Sequence, residues 1–172
     1  MSLFVIEKVN EDAVEELQSI SRQTFYETYC TMNTKENMDK YLNENLSIST
    51  LKKELKNPNS EFYIIKDLDK NIGYLKLNMG PAQTDIKDAS ALEIERIYVI
   101  KEYQGKKAGQ QLYEKTIQVA KEKMLKYIWL GVWQENSKAI QFYIKNGFEI
   151  FDQHVFKLGD EEQTDFLMRF FI

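Results

Sequence analysis

Small residues and lysines are concentrated in residues 97–110, where a predicted strand ends and a predicted helix begins. Gly105, Ala108 and Gly109 allow an anion to approach the backbone closely, and Lys106 and Lys107 add positive charge. Free backbone N–H groups at the start of a helix bind phosphate, with help from the positive end of the helix dipole. The segment therefore predicts a phosphate-binding turn, although an ordinary strand-to-helix connection can have the same composition.

Two other phosphate-binding motifs do not occur in this sequence. There is no Gly-x-x-x-x-Gly-Lys-Ser/Thr, so we do not expect a P-loop. The dinucleotide-binding Gly-x-Gly-x-x-Gly is also missing. The phosphate predicted for residues 97–110 must therefore belong to another class of ligand.

A second chemical segment is a short helix predicted for residues 136–146, which Gly147 would end. Its apolar stripe of Ala139, Ile140, Tyr143 and Ile144 could simply pack in the core. The Tyr143 phenol could instead lie at the rim of a cleft and donate a proton to a departing thiolate.

Together, these two segments resemble the GCN5-related N-acetyltransferase (GNAT) superfamily. That family carries Gln/Arg-x-x-Gly-x-Gly/Ala after a strand, followed by Asn, Ala, Phe-Tyr and Gly-Phe. The matching residues here are Gln104, Lys107 and Gly109, then Asn136, Ala139, Phe142, Tyr143, Gly147 and Phe148. The resemblance implies an α/β fold, acetyl-CoA as co-substrate without a metal, and direct acetyl transfer to an amine.

The resemblance also implies which residues hold CoA. They are Ile97, Tyr98, Val99, Gln104, Gly105, Lys106, Lys107, Ala108, Gly109, Gln110, Asn136, Lys138 and Tyr143. Two positions depart from the family pattern, because Lys107 replaces the usual glycine and Lys101 replaces a frequent proline. A lysine at position 107 hinders close approach to the backbone there, although its ammonium group could meet the phosphate instead.

Further stretches resemble the PaiA-type polyamine N-acetyltransferases, which act on spermidine or spermine. They are residues 36–38 with 41–42, residues 92–98, residues 128–133 and the acidic residues 159–165. This resemblance implies a polyamine acceptor, with Glu27 and Tyr29 as candidate walls of the acceptor cleft. Trp133 and Glu135 precede the second segment and could line the same cleft, although Trp133 could equally be a core residue.

An acceptor amine must be neutral to attack a thioester, so some group must take its proton. Alternation along a strand predicts Glu93 and Glu95 on one face together with Ile97, beside the expected thioester. Either carboxylate could be the base or hold the cation, but both could be surface groups, or one could pair with Arg96. The family further implies a backbone N–H near Val99, at a bulge, for the oxyanion, with Tyr143 protonating the thiolate.

Cys30 and His154 are the only cysteine and histidine of the chain. One cysteine cannot form a disulfide framework within the chain, and one histidine cannot form a multi-histidine metal site. Cys30 has no histidine near it in sequence and is expected to be an incidental thiol. His154 lies on a late predicted strand and is expected to be a packing residue.

The composition is that of an ordinary globular domain, which we expect to span residues 1–172. Apolar residues make up 43% of the chain, charged residues 29%, and the net charge is -4. The chain lacks the basic excess of a nucleic-acid binder, and its acidity suits a cationic substrate as well as a typical cytosolic surface. The apolar run of residues 3–6 is too short for a signal sequence or membrane span, so a cytoplasmic protein is expected.

Hydrophobic periodicity predicts a mixed, mostly antiparallel sheet with flanking helices. Helices are expected after Asn10, after a capping box of Asn33 and Glu36, and around Leu51. A strand–helix–strand unit over residues 92–133 supplies a central parallel pair through a right-handed crossover. The expected strands are residues 3–8, 61–66, 72–78, 92–99, 126–133, 148–157 and 166–172, and the last hairpin could pair across a homodimer.

Three functions are compatible with these features. The first is acetylation of a polyamine such as spermidine or spermine. The second is acetylation of another amine, such as a protein N-terminus or a small amine, on the same fold. The third is a non-catalytic module that senses acyl-CoA and acts through a partner.

Overall fold

Seven strands form one mixed sheet in the computed structural model, which describes residues 4–158 and 160–172. Leu3, predicted to begin the first strand, and Gly159, the first residue of the acidic segment 159–165, lie outside the described residues. The strands are β1 (Val5–Lys8), β2 (Ser60–Asp67), β3 (Lys70–Met79), β4 (Ala91–Val99), β5 (Tyr127–Trp133), β6 (Glu149–Leu158) and β7 (Glu161–Phe171). Their order is β1-β2-β3-β4-β5-β7-β6. Among the described pairings β4 and β5 alone are parallel, which confirms the predicted sheet.

The helices flank both faces of the sheet. In the described residues they are α1 (Val14–Tyr29), α2 (Lys35–Glu44), α3 (Ile48–Lys56), α4 (Ala108–Glu122) and α5 (Ser137–Lys145). Tyr98, the sheet partner of Tyr74, has its hydroxyl 3.3 Å from that of Tyr29 of α1. On the opposite face, Lys115 of α4 lies over the ring of Tyr63, which is the partner of Leu75 in the sheet. None of the helices described is long and apolar enough to cross a bilayer.

The caps of the first helices are partly as predicted. The Asn10 side chain accepts from the Asp12 N–H at 3.0 Å and begins a short 3-10 turn, Glu11–Ala13, that leads into α1. The predicted Asn33 cap is wrong, because the hydroxyl of Thr34 accepts from the Asn37 N–H at 3.1 Å and begins α2. Thr34 has the extended backbone conformation that a capping residue needs.

Strand β7 begins at Glu161, five residues before the predicted start at residue 166. Hydrophobic periodicity predicts no strand for residues 161–165, because they are mostly polar. They nevertheless pair with β6 through backbone groups, from Leu158 opposite Glu161 to His154 opposite Asp165. Such pairing needs no apolar side chains, so hydrophobic periodicity could not detect it.

A β-bulge interrupts β4 at Glu95. Lys76 of β3 pairs with Arg96, whereas the next residue, Leu77, pairs with Ile94, so Glu95 is the extra residue. The bulge was expected near Val99, but that end of β4 pairs regularly with Gly73 and its neighbours. An extra residue moves the side chains that follow it to the opposite face of the strand, so the bulge decides which residues of β4 share a face at the site.

Candidate active site

A cleft opens where β4 and β5 separate. The last parallel pair joins Ile94 to Leu130, and β4 then continues to Val99 and β5 to Trp133 without pairing to each other. The cleft has a volume of about 1240 Å³ and is lined by both strands, by α1, α4 and α5, and by the segment before β4. The edge of β4 beyond Ile94 thus faces the cleft, where its backbone groups can bind an extended amide-containing ligand.

At one end of the cleft, the turn before α4 presents backbone N–H groups to the solvent. Gly105 has φ +80° and Lys107 has φ +68°, so both lie in the left-handed region. Within the described residues, a Cβ built on Gly105 or Gly109 would have no atom within 4 Å, and no side chain caps the start of α4. The turn therefore leaves room for a phosphate against the helix N-terminus, as the sequence predicted.

Side-chain hydrogen bonds fix the surroundings of this turn. Gln104 donates to the Val99 carbonyl at 3.1 Å and accepts from the Lys138 ammonium at 3.1 Å. Asn136 accepts from the Ala139 N–H at 3.2 Å and so caps α5. These contacts connect the end of β4, the turn and α5 into one wall of the cleft.

Tyr143 of α5 lines the cleft with its side chain 7% exposed. Its ring contacts those of Phe142 and Phe148, with centroids 5.5 Å and 5.6 Å away. Burial raises the pKa of the Tyr143 phenol above its ordinary value. The phenol therefore keeps its proton at neutral pH, as a general acid must.

Two further phenols lie close to Tyr143. The hydroxyls of Tyr29 from α1 and Tyr98 from β4 are 3.3 Å apart. Burial raises the pKa of both groups, and the electrostatic influence of Tyr29 reaches Tyr143. The three phenols therefore line one cleft from three separate elements, and the sequence predicted none of this grouping.

Glu93 is 1% exposed and binds the segment before β4. One of its oxygens accepts from the N–H and from the hydroxyl of Thr84, both at 2.8 Å, and Asn78 donates to the same oxygen at 3.4 Å. Burial raises the pKa of this carboxyl group despite these hydrogen bonds. Glu93 thus lines the cleft but already has its oxygens occupied by neighbouring donors.

Glu95 lies on the same face of β4 as Glu93 and forms an ion pair with Lys76. Burial opposes its ionisation, but the positive charges of Arg96 and Lys76 outweigh burial and hold the pKa of Glu95 below its ordinary value. The expectation that Ile97 shares this face is wrong. Ile97 pairs with Leu75 on the opposite face, because the bulge reverses the alternation after Glu95.

Arg96 is 9% exposed and pairs with Glu54 of α3, rather than with a neighbour on its own strand. The two guanidinium nitrogens donate to the two carboxylate oxygens at 3.1 Å and 3.2 Å. Lys76 also reaches Glu54, at 3.3 Å. Charged groups buried beside the cleft are therefore paired with one another.

Most of the predicted site residues line the cleft, but three do not. Lys106 turns its ammonium group over the Tyr103 ring, 4.8 Å from the centroid. Ala108 is buried under the start of α4, and Glu135 is exposed on the turn between β5 and α5. Those that do line it are Ile97, Tyr98, Val99, Gln104, Gly105, Lys107, Gly109, Gln110, Asn136, Lys138, Tyr143, Glu93, Glu95, Glu27, Tyr29 and Trp133.

Glu27 and the two tryptophans differ in their positions. The Glu27 carboxylate accepts from the Lys101 N–H at 2.8 Å and so joins the end of α1 to the turn after β4. Trp129 is 2% exposed and donates from its indole N–H to Gln83 at 2.7 Å, so it is a buried residue at the wall of the cleft. Trp133, on the same face of β5, also lines the cleft but is less buried.

Asp165 of β7 is a cleft residue that the sequence analysis did not identify. It is the sheet partner of Trp133, and its Oδ2 lies 3.6 Å from the position that a Cβ on Gly131 would occupy. Burial raises the pKa of Asp165 to about 6. His154, expected to pack, is instead half exposed beside Asp165 in the sheet, and its Nδ1 contacts the Asp85 carboxylate.

The charges that line the cleft are unevenly distributed. The end formed by the turn before α4 and by α5 carries most of the cations, and the end formed by β4, β7 and the segment before β4 carries most of the carboxylates. The first group is Lys101, Lys107, Lys138 and Lys145, with Glu27 and Glu114 among them, and the second is Asp85, Glu93, Glu95 and Asp165, with Arg96 beside them. One end thus suits phosphates and the other suits an organic cation.

The family is identified by comparison with known proteins. Residues 15–148 match the model of the acetyltransferase (GNAT) family. An uncharacterized N-acetyltransferase encoded in the pepI 3' region of Lactobacillus delbrueckii subsp. lactis is 40% identical over 164 residues, which are 95% of each chain. A spermidine N(1)-acetyltransferase of Thermoplasma acidophilum is 27% identical over 167 residues, covering 95% of this chain and 94% of the other.

Solved structures agree with this assignment. The PaiA N-acetyltransferase of Thermoplasma acidophilum, crystallised with coenzyme A, superposes with a TM-score of 0.79 at 26% identity. The superposition covers 97% of this chain and 98% of the other. It supports the resemblance to PaiA-type enzymes. The chain belongs to the acetyltransferase (GNAT) family and is an N-acetyltransferase that uses acetyl-CoA as its co-substrate.

Proposed function

We propose that the acceptor is a polyamine such as spermidine or spermine, which binds at the acidic end of the cleft. The observation that carries this proposal is the set of four carboxylates there, Asp85, Glu93, Glu95 and Asp165. A slot of this charge attracts a long cation and holds its remote ammonium groups while one terminal amine reacts. The similarity to the spermidine acetyltransferase of Thermoplasma acidophilum supports the same acceptor.

The opposite end of the cleft would hold the phosphates of CoA. Gly105, Gly109 and the free N–H groups at the start of α4 leave the space that a pyrophosphate needs. Lys107 and Lys138 add positive charge beside that space. The unpaired edge of β4 from Ile97 to Val99 would bind the amides of the pantetheine arm and stabilise the developing oxyanion.

Acetyl-CoA supplies an activated acetyl thioester, and the chain would supply the acid and the orientation. Tyr143 has a protonated, buried phenol at the point where the strands separate, so it would donate the proton to the leaving sulfur. Glu95 is kept ionised by Arg96 and Lys76, and Glu93 is occupied by Thr84 and Asn78. Both carboxylates are therefore better suited to shape and charge the acceptor end than to accept a proton.

Acceptor preference and its salt dependence test the proposal. We expect kcat/KM for spermidine to exceed that for butylamine and for a peptide amine with a neutral tail. Raised salt should lower the value for spermidine, since exposed charges are screened beyond about 10 Å at ~0.1 M ionic strength. Equal values for spermidine and butylamine, or a spermidine value that salt leaves unchanged, would reject the polyamine acceptor while leaving the acetyltransferase assignment intact.

A further inference from the structure

Asp165 lines the cleft close to the point where β4 and β5 separate. Its carboxylate lies over Gly131, the residue that follows the last pair between β5 and β4. Asp165, Tyr29 and the candidate general acid Tyr143 line the same cleft, from β7, α1 and α5 respectively.

The Asp165 carboxylate differs from the other acids of the cleft in having its oxygens available. Among the described residues, no hydrogen bond or ion pair reaches it, although it is partly buried. Glu93 accepts several hydrogen bonds and Glu95 is paired with Lys76. A base must have a free lone pair within reach of the proton that it removes, and Asp165 meets this requirement better than the other two.

We propose that Asp165 is the general base that removes the first proton from the acceptor ammonium group. The inference rests on the proposed amine-binding site and names the group that removes a proton there. The ammonium proton passes to a carboxylate oxygen of Asp165, and the neutral amine forms the C–N bond as the C–S bond breaks. Tyr143 gives its proton to the sulfur, and the second proton of the nitrogen restores the phenol. The proton on Asp165 leaves to solvent, so the balance is one amide, one CoA thiol and one free proton.

The protonation of Asp165 sets the expected pH dependence. Its pKa, raised by burial to about 6, leaves the carboxylate as the main form at neutral pH and still basic enough to accept a proton. The base form is lost as the pH falls through about 6, so kcat/KM should fall there and level off above it. The titratable groups that share this face are Tyr29 of α1, Asp85 before β4, His154 of β6, and Glu93, Glu95, Arg96 and Tyr98 of β4.

The test compares Asp165→Asn with the parent enzyme over a range of pH, using spermidine and butylamine in parallel. We expect kcat/KM at neutral pH to fall about a hundredfold. The variant should also lose the plateau, so that its rate keeps rising with pH as more of the free amine becomes neutral. The pH dependence of kcat/KM should change for both amines. The test of Asp165 therefore does not depend on whether the enzyme prefers a polyamine. Asp160→Asn, at an exposed position near the hairpin turn, is the matched control and should match the parent.

A second acceptor separates the removal of a proton from the binding of a cation. An alkoxyamine is mostly neutral at neutral pH, so it needs no base, and the loss caused by Asp165→Asn should shrink to less than about tenfold. Circular dichroism should show that the variant is folded. The proposal is overturned if the loss is the same for the alkoxyamine as for spermidine, if it lies only in KM, or if the plateau persists in the variant.

Discussion

Ile94 and Leu130 form the last pair between β4 and β5, and the groups proposed for catalysis gather beside that point. Beyond it, β4 turns its unpaired edge to the cleft, while Gly131 of β5 leaves room for the Asp165 carboxylate. Tyr143 reaches the same place from α5. The separation of two parallel strands thus creates the binding groove, and the proposed acid and base both line it.

Binding of CoA should depend on the open turn before α4. Gly109→Glu would place a carboxylate in the space that a phosphate needs, and we expect calorimetry to detect no CoA binding. Lys121→Gln changes the net charge by the same amount at an exposed position at the far end of α4. This control should bind CoA like the parent. A folded Gly109→Glu protein with the parent affinity would exclude this turn as the phosphate site.

The left-handed backbone conformation of Lys107 should lower the stability of the folded protein. A residue with a Cβ is strained at φ +68°, so Lys107→Gly should raise the free energy of unfolding by about 0.5 to 1 kcal/mol. Urea unfolding measures this change. Lys106→Gly serves as the control, since Lys106 has no positive φ and the substitution should instead lower stability. A destabilised Lys107→Gly protein would show that contacts of the lysine outweigh the backbone strain.

Tyr143 should affect the chemical step more than binding. Tyr143→Phe removes only the hydroxyl, and we expect turnover to fall about a hundredfold or more while the acetyl-CoA affinity stays the same. Tyr113→Phe removes another phenol, one that donates to the Asn146 carbonyl at 3.4 Å away from the reacting centre. That control should keep turnover within about twofold of the parent. A Tyr143→Phe enzyme in the same range would mean that another group protonates the sulfur.

The buried pair of Arg96 and Glu54 should matter for stability. Arg96→Met removes two hydrogen bonds to the Glu54 carboxylate and leaves it with Lys76 as a positive partner. The free energy of unfolding should therefore fall by about 3 kcal/mol. Arg169→Met removes an exposed pair with Glu149 and should cost about 1 kcal/mol or less. Similar losses for the two variants, measured by denaturant unfolding, would contradict the importance of burial here.

Sequence reasoning succeeded where function depends on local backbone chemistry. The glycines of residues 105–109 and Gly147 at the end of α5 act through their own turns, so residue type and spacing were enough to predict the turn before α4 and the end of α5. It failed where a partner lies far away in sequence. The bulge at Glu95 depends on the register of β3, and it moved Ile97 to the other face. Asp165 reaches the cleft only through its pairing with β5, which no periodic pattern reveals.

Amine-dependent release of thiol from acetyl-CoA tests the central claim most directly. The account predicts that spermidine strongly increases the release of CoA thiol, and that mass spectrometry finds one acetylated amine for each thiol released. Gly109→Glu should abolish both signals, because it removes the proposed phosphate site. If no amine in a panel of polyamines, simple amines and peptide N-termini raises thiol release above the rate of hydrolysis, the chain is not a working acetyltransferase, and an acyl-CoA-sensing role would replace it.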